Sequence, residues 1–190
     1  TITKQNWNVY WDNAVVTEGS KSSTAPTITE DTGDPTKTKV TWSISFDEPG
    51  QFYEFTIDAV NAGSIDAKLL YAGAKVNGRS LSSLPEYIKY TVKYADGTTP
   101  AKNDILAKAT KTGGVTTPTT KKYRIRIEYD GETATVDTIN NMPQEGYTFD
   151  CTYEVDYFQP NYVDNKEPQS FATDSWETIA KAARTGRHQY

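Results

Sequence analysis

Between Phe46 and Leu69 the chain reads FDEPGQFYEFTIDAVNAGSIDAKL, and this stretch constrains the fold most. A turn at Glu48-Pro49-Gly50 is followed by Tyr53, Phe55, Ile57 and Ala59, alternating with Glu54, Thr56 and Asp58. Period two with one apolar face means a half-buried strand, because successive side chains on a pleated backbone point to opposite faces. The run closes at Asn61-Ala62-Gly63, a turn built from residues that tolerate positive φ.

The same alternation recurs along the chain. Trp7, Val9 and Trp11 alternate with Asn8, Tyr10 and Asp12, predicting a first strand from Trp7 to Val16. Residues 20–39 are rich in Ser, Thr, Asp, Gly and Pro, with a short strand near Pro26–Thr29. Val40, Trp42, Ile44 and Phe46 form the next apolar face. Lys68–Val76 is apolar and reads equally as strand or loop; Ser80–Glu86 carries turn signals and at most one helical turn. Ile88, Tyr90, Val92 and Tyr94 alternate up to a turn at Asp96-Gly97, and Asn103–Leu106 reads as a turn or a strand fragment. Gly113–Thr120 reads as a flexible Thr/Gly/Pro loop. Tyr123, Ile125, Ile127 and Tyr129 follow, then Tyr147, Phe149, Cys151, Tyr153, Val155 and Tyr157 on one face of the longest strand.

Seven or more alternating strands without crossover helices predict an all-β, antiparallel β-sandwich that is jelly-roll-like. The domain is expected to cover residues 1–159. PNYVDNKEPQS at 160–170 reads as linker within a 160–172 segment. Residues 173–190 are expected to form a helical tail with a short C-terminal helix. There Asp174 and Glu177 make a capping box, Trp176, Ile179, Ala180 and Ala183 an apolar stripe, and Gly186 the stop. A helix that short is marginal alone, so its stripe is expected to dock on the sandwich or on a further module.

Composition narrows the function. Thirteen Tyr and four Trp suit sheet faces, and a net charge of −5 with pI near 5.0 offers no basic field for nucleic acid. No apolar run reaches the length of a membrane span, so no membrane insertion is expected. The chain begins at Thr1 and its one methionine is Met142, which fits either a trimmed chain or a processed export product. The single cysteine, Cys151, excludes an intrachain disulfide.

Little points to catalysis. The one histidine, His188, sits in a basic tail, and one His with one inward-facing Cys cannot make a closed zinc site. Glu54 with Asp58, or Glu154 with Asp156, could serve as paired carboxylates, but alternating carboxylates also describe a solvated sheet face. Asp31, Asp34, Asp47 and Glu48 offer oxygen ligands without matching a calcium-loop spacing. No enzyme activity, no catalytic residue, no metal and no cofactor are therefore expected. A Lys–Asn isopeptide bond, promoted by a buried acid, would draw on Lys39, Asn140 or Asn141, and Glu54.

WNVYWDNAVVTEGS, the 46–69 stretch, YTVKYADGTTPAKNDILAKATKTGG, YRIRIEYDG and MPQEGYTFDCTYEVDYFQPN follow one another in this chain. In that order, over roughly residues 7–160, they resemble the TasA/camelysin-like proteins, which Gram-positive bacteria export through a dedicated signal peptidase. The resemblance implies a jelly-roll sandwich in a secreted or cell-surface protein. It also implies, as in some members, assembly into extracellular fibres by donation of an N-terminal strand. The closing DSWETIAKAARTGRHQY is similar to the opening of a second extracellular module often appended in such proteins. Camelysin is described as a protease, for which this chain offers no zinc-ligand set.

Two interaction roles follow. In the first, an N-terminal segment bearing Trp7, Val9, Trp11 and Val15, with Tyr10 and Asp12 opposite, completes a neighbour's sandwich: main-chain pairing supplies affinity and alternate side chains fill pockets. The alternative within this reading is that these residues form the first strand of their own sheet. In the second role the chain is a monomeric adhesin-like surface module whose Tyr and Trp bind glycan or protein. Expected partners are thus the chain itself, or a host or cell-surface protein or glycan.

Overall fold

A computed structural model describes residues 6–30, 37–133 and 147–160. Twelve strands are formed among them: β1 (Val9–Val16), β2 (Thr27–Glu30), β3 (Lys37–Phe46), β4 (Phe52–Asn61), β5 (Ala67–Val76), β6 (Arg79–Ser80), β7 (Ile88–Tyr94), β8 (Ile105–Leu106), β9 (Thr110–Thr112), β10 (Val115–Thr117), β11 (Thr119–Tyr129) and β12 (Tyr147–Phe158). One 3-10 turn, Leu81–Ser83, is the only helical element among the described residues. His188, Asn140, Asn141, the linker and the C-terminal helix expected from Asp174 to Gly186 lie outside them.

Sheet I has the order β1-β4-β11-β7, and sheet II the order β2-β3-β12-β5-β6 with β8 also on β5. Every pairing is antiparallel. Leaving aside the two-residue β6 and the β9–β10 pair, the chain changes sheet at each step from β3 onward: β3 in II, β4 in I, β5 in II, β7 in I, β8 in II, β11 in I and β12 in II. This winding, with β4 nested against β11 and β3 against β12, is the strand order of a jelly roll.

The apolar faces read from the sequence meet between the sheets. Tyr53, Phe55, Ile57 and Ala59 of β4 and Tyr123, Ile125, Ile127 and Tyr129 of β11 are buried. They oppose Val40, Trp42, Ile44 and Phe46 of β3 and Phe149, Cys151, Tyr153, Val155 and Tyr157 of β12. Full burial of such side chains stabilises by about 1.5–3 kcal/mol each, before the entropy of ordering them. Edge-to-face contacts such as Trp42 on Phe55, with centroids 4.9 Å apart, add about 0.5–1.5 kcal/mol.

Three local expectations are corrected. Val15 does not share the inward face of Val9 and Trp11: the β1–β4 register shifts between Asp12 and Val15, and Asn13 adopts φ 56°. That bulge reverses the alternation, so Val15 stands opposite outward Thr56 and is 52% exposed, while Val16 pairs with inward Phe55. Residues 113–120 are no loose loop. Gly113 and Gly114, with φ of 59° and 80°, close a two-residue turn between β9 and β10, both central residues taking the positive φ that such hairpins require. Glu154 and Asp156 do not lie on a solvated face; they are buried on the outer side of sheet II. There Gly73 lacks the Cβ that would collide with the Tyr71 ring, so the ring folds back over the sheet, next to the strand position of Asp156.

Candidate functional site

The candidate site is the open edge of sheet I, formed by β1. This strand has one ladder partner, β4, and also touches β2 and β3 of the facing sheet. Val9 and Trp11 point inward and are buried. The Trp11 indole packs edge-on against Tyr123 at 4.9 Å and lies 6.2 Å from Tyr153 of sheet II, so one side chain of the edge strand joins both sheets. Trp7 is half-buried against the same core. Three of the four residues expected to drive strand exchange are thus brought together on one face, and Val15 is not.

Trp7 and Trp11 are held by packing rather than by directed polar bonds. Neither buried indole N–H has an acceptor among the described residues. An unsatisfied buried donor costs about 1–3 kcal/mol, which offsets part of what each ring gains by burial.

Upstream of β1 the backbone is gripped by the turn after β4. Ser64 Oγ accepts from Asn6 N at 2.7 Å, Ser64 N donates to Asn6 O at 2.8 Å, and Ala62 N donates to Asn8 O at 2.9 Å. Gly63 makes the grip possible, since a Cβ there would lie 2.4 Å from Asn6 O and 2.8 Å from Asn8 N. Asn61 shapes the turn from within: fully buried, it donates to Ile65 O and Leu106 O and accepts from Gly63 N. Asn61-Ala62-Gly63 was legible as a turn; its second role as a clasp depends on residues far away in sequence.

At the downstream end the ladder runs into the turn Thr17–Ser20, where Ser20 N donates to Thr17 O and Gly19 has φ 90°. Beneath β1 a line of phenols crosses the core. Asp104 Oδ2 accepts from Tyr94 OH at 2.5 Å, and the hydroxyls of Tyr123 and Tyr157 are hydrogen-bonded at 2.5 Å across the sheets. Burial, aided by neighbouring phenols, holds Tyr123 well above the ordinary phenol value; burial and then the bond to Asp104 do the same for Tyr94. No sequence signal marked Asp104, because its partner is set by the closing of the sandwich.

The residues considered for chemistry are dispersed. Glu54 lies on the outer face of sheet I, against Arg126 at 3.3 Å, Arg124 at 3.8 Å and the Thr17 hydroxyl at 2.9 Å. Asp58, on the same face, pairs with Lys122 at 3.1 Å. Glu154 and Asp156 share the outer side of β12 in the other sheet, so each of the two alternative carboxylate pairs lies on one face of its own strand. Lys39 lies on sheet II beside Glu154 in register, whereas Glu54 lies on sheet I, so Glu54 is not the acid beside it; Asn140 and Asn141 are outside the described residues. Asp47 pairs with Lys21 at 2.5 Å, and Asp31 and Asp34 lie outside the described residues. Among the described residues no group of three metal-ligating side chains occurs. Cys151 points into the core, where burial and then nearby Asp150 push its thiol up to about 12.

No protein-family model, curated protein or solved structure matches this chain. No helix among the described residues is long and apolar enough to cross a membrane.

Proposed function

We propose that this chain is a non-enzymatic structural protein, exported to the cell surface or extracellular matrix, that assembles into filaments by exchange of its N-terminal strand. One observation carries the reading. Among the described residues the strand that fills the core with Val9 and Trp11 comes first, has β4 as its one ladder partner, and ends at the turn Thr17–Ser20.

Strand exchange conserves contacts: the groove formed by Ala59, Tyr123 and Tyr153 receives the same side chains from a neighbour that it now receives from its own chain. The resemblance to exported fibre proteins supports the same reading. Among residues whose side chains are described, the aromatics that a glycan-binding adhesin would display are buried or half-buried, which favours the filament over the surface-binding alternative.

Negative-stain electron microscopy of the full chain, beside a version lacking residues 1–16, tests this. Filaments from the full chain and none from the shortened one are expected. Monomers in both, with the shortened chain melting at lower temperature, would return β1 to a purely intramolecular role.

A further inference from the structure

The β9–β10 hairpin is a two-stranded sheet that joins neither face of the sandwich. Both of its strands are exposed throughout, and Val115, beside its turn, is 66% exposed. An isolated two-stranded hairpin is marginal in water, and an exposed branched side chain at its tip gains nothing there. Among the described residues the hairpin is anchored at its base, where Ala109 N donates to Gly63 O and the Thr119 hydroxyl to Ala107 O. It therefore projects from the pole of the sandwich that carries the clasp on the N-terminal arm.

That pole and the opposite one differ in charge. Among the described residues Lys93, Lys102, Lys108, Lys111 and Lys121 lie on or beside the hairpin pole, against Asp66, Asp96 and Asp104, and the hairpin strands themselves hold no carboxylate. Lys108 and Lys111 form no ion pair among the described residues. The far pole is built from the turns after β1, β3 and β11 and the segment before β7. Among the described residues it carries Glu18, Asp47, Glu48, Glu86, Asp130 and Glu132, against Lys21, already bound to Asp47, with Arg79 and Lys89. The same acidic pole contains a cleft of about 300 Å³ between the β5–β6 turn and the 3-10 turn, lined by Val76, Leu84, Pro85 and Phe149 together with the polar Asn77, Arg79 and Ser83.

We infer that the hairpin is a docking finger for a second copy of this chain: Val115 seats in the Val76/Leu84/Pro85 cleft at the acidic pole of the next molecule, and Lys108 and Lys111 face its carboxylates. Finger and cleft lie at opposite ends of one molecule, so the contact is head-to-tail and leaves both ends free to repeat. Such a heterologous contact builds an open filament wherever its rotation does not close into a ring, and not a two-fold dimer. Complementary charge would steer the encounter and set its direction. This rests on the filament reading for its setting, since the finger stands beside the arm that would be exchanged.

The test is sedimentation velocity of the full chain at an ionic strength of about 0.01 M, where the screening length is about 30 Å, and at about 1 M, where it is about 3 Å. Concentration-dependent association at low salt that reverses at high salt is expected. The double variant Lys108→Glu/Lys111→Glu should sediment as a monomer at low salt, as should Glu86→Lys/Glu132→Lys. Mixing the two should restore association, because each supplies the pole that the other repels; restoration also shows that both are folded. Wild-type monomers at low salt, or association unchanged in either variant or not restored by mixing, would overturn the contact. Filaments that persist in Lys108→Glu/Lys111→Glu would remove the docking finger and leave strand exchange standing. Reversible low-salt association without filaments would support the finger and remove strand exchange.

Discussion

Sheet I ends on two edge strands, β1 and β7, which face one physical problem and meet it differently. Among the described residues each presents an unpaired row of backbone N–H and C=O groups, an invitation to pair with another chain. On β7, Lys89 and Lys93 stand on the outer face next to that row, so an approaching strand must bring lysines close together and desolvate them. β1 has no lysine. Its open edge is interrupted by the bulge at Asn13, while its inward residues, Val9 and Trp11, are among the buried core. β7 lies between segments that both remain inside the sandwich; β1 is tied by the clasp at Gly63–Ser64 on one side and the turn at Thr17–Ser20 on the other. The charged edge is guarded against exchange. The bulged one is fastened, and a fastening can be undone.

The largest expected effect lies in the anchor of β1. Trp11→Ala removes the ring that joins both sheets and should cost about 3–5 kcal/mol in denaturant unfolding. If instead the loss is small, β1 does not hold the sandwich together, and the contrast with β7 disappears. A lesser effect is expected at the clasp. Gly63→Ala places a methyl group against Asn6 O and should cost about 1–3 kcal/mol, through displacement of the arm. Hydrogen exchange would then speed up at Ala62 and Ser64, whose amides bond to Asn8 and Asn6, while the amides of β7 keep their protection. Equal acceleration in both strands would show that the clasp does not act on β1 alone. The smallest stability change belongs to the guarded edge. Lys89→Ser/Lys93→Ser should shift unfolding by no more than about 0.5 kcal/mol. Light scattering should nonetheless rise with time, because the charge protecting the β7 edge is gone. Unchanged solubility would mean that something other than lysine protects that edge.

Much of the sandwich was legible from residues alone, and the reason is local. In β4 and β11, and in β12 as far as Val155, the apolar residues alternate strictly, and a buried face of large apolar side chains resists a change of register, because a slip of one residue would turn the whole set to solvent. The departures came where one backbone torsion or one missing Cβ controls a longer stretch. Asn13 reversed the face of Val15; Gly73 let Tyr71 fold over the outer side of sheet II, where Glu154 and Asp156 are buried rather than solvated. The Thr110–Thr117 hairpin was hidden because its strands are too short and too polar for alternation to register, so that 113–120 reads as a flexible loop.

The candidate site divides the same way. That Trp7, Val9 and Trp11 form one apolar face follows from period two, a property of the extended backbone itself. Which groove that face fills was decided by tertiary structure: the edge of β4, the Tyr123 and Tyr153 rings and the Gly63 clasp come from segments roughly fifty to a hundred and forty residues away along the chain. Alternation is written into neighbouring residues and can be read one strand at a time. The pairing of an edge, the closing of a clasp and the opposition of two charged poles exist only once distant segments share a surface, since hydrogen bonds and packing act through space and not along the chain.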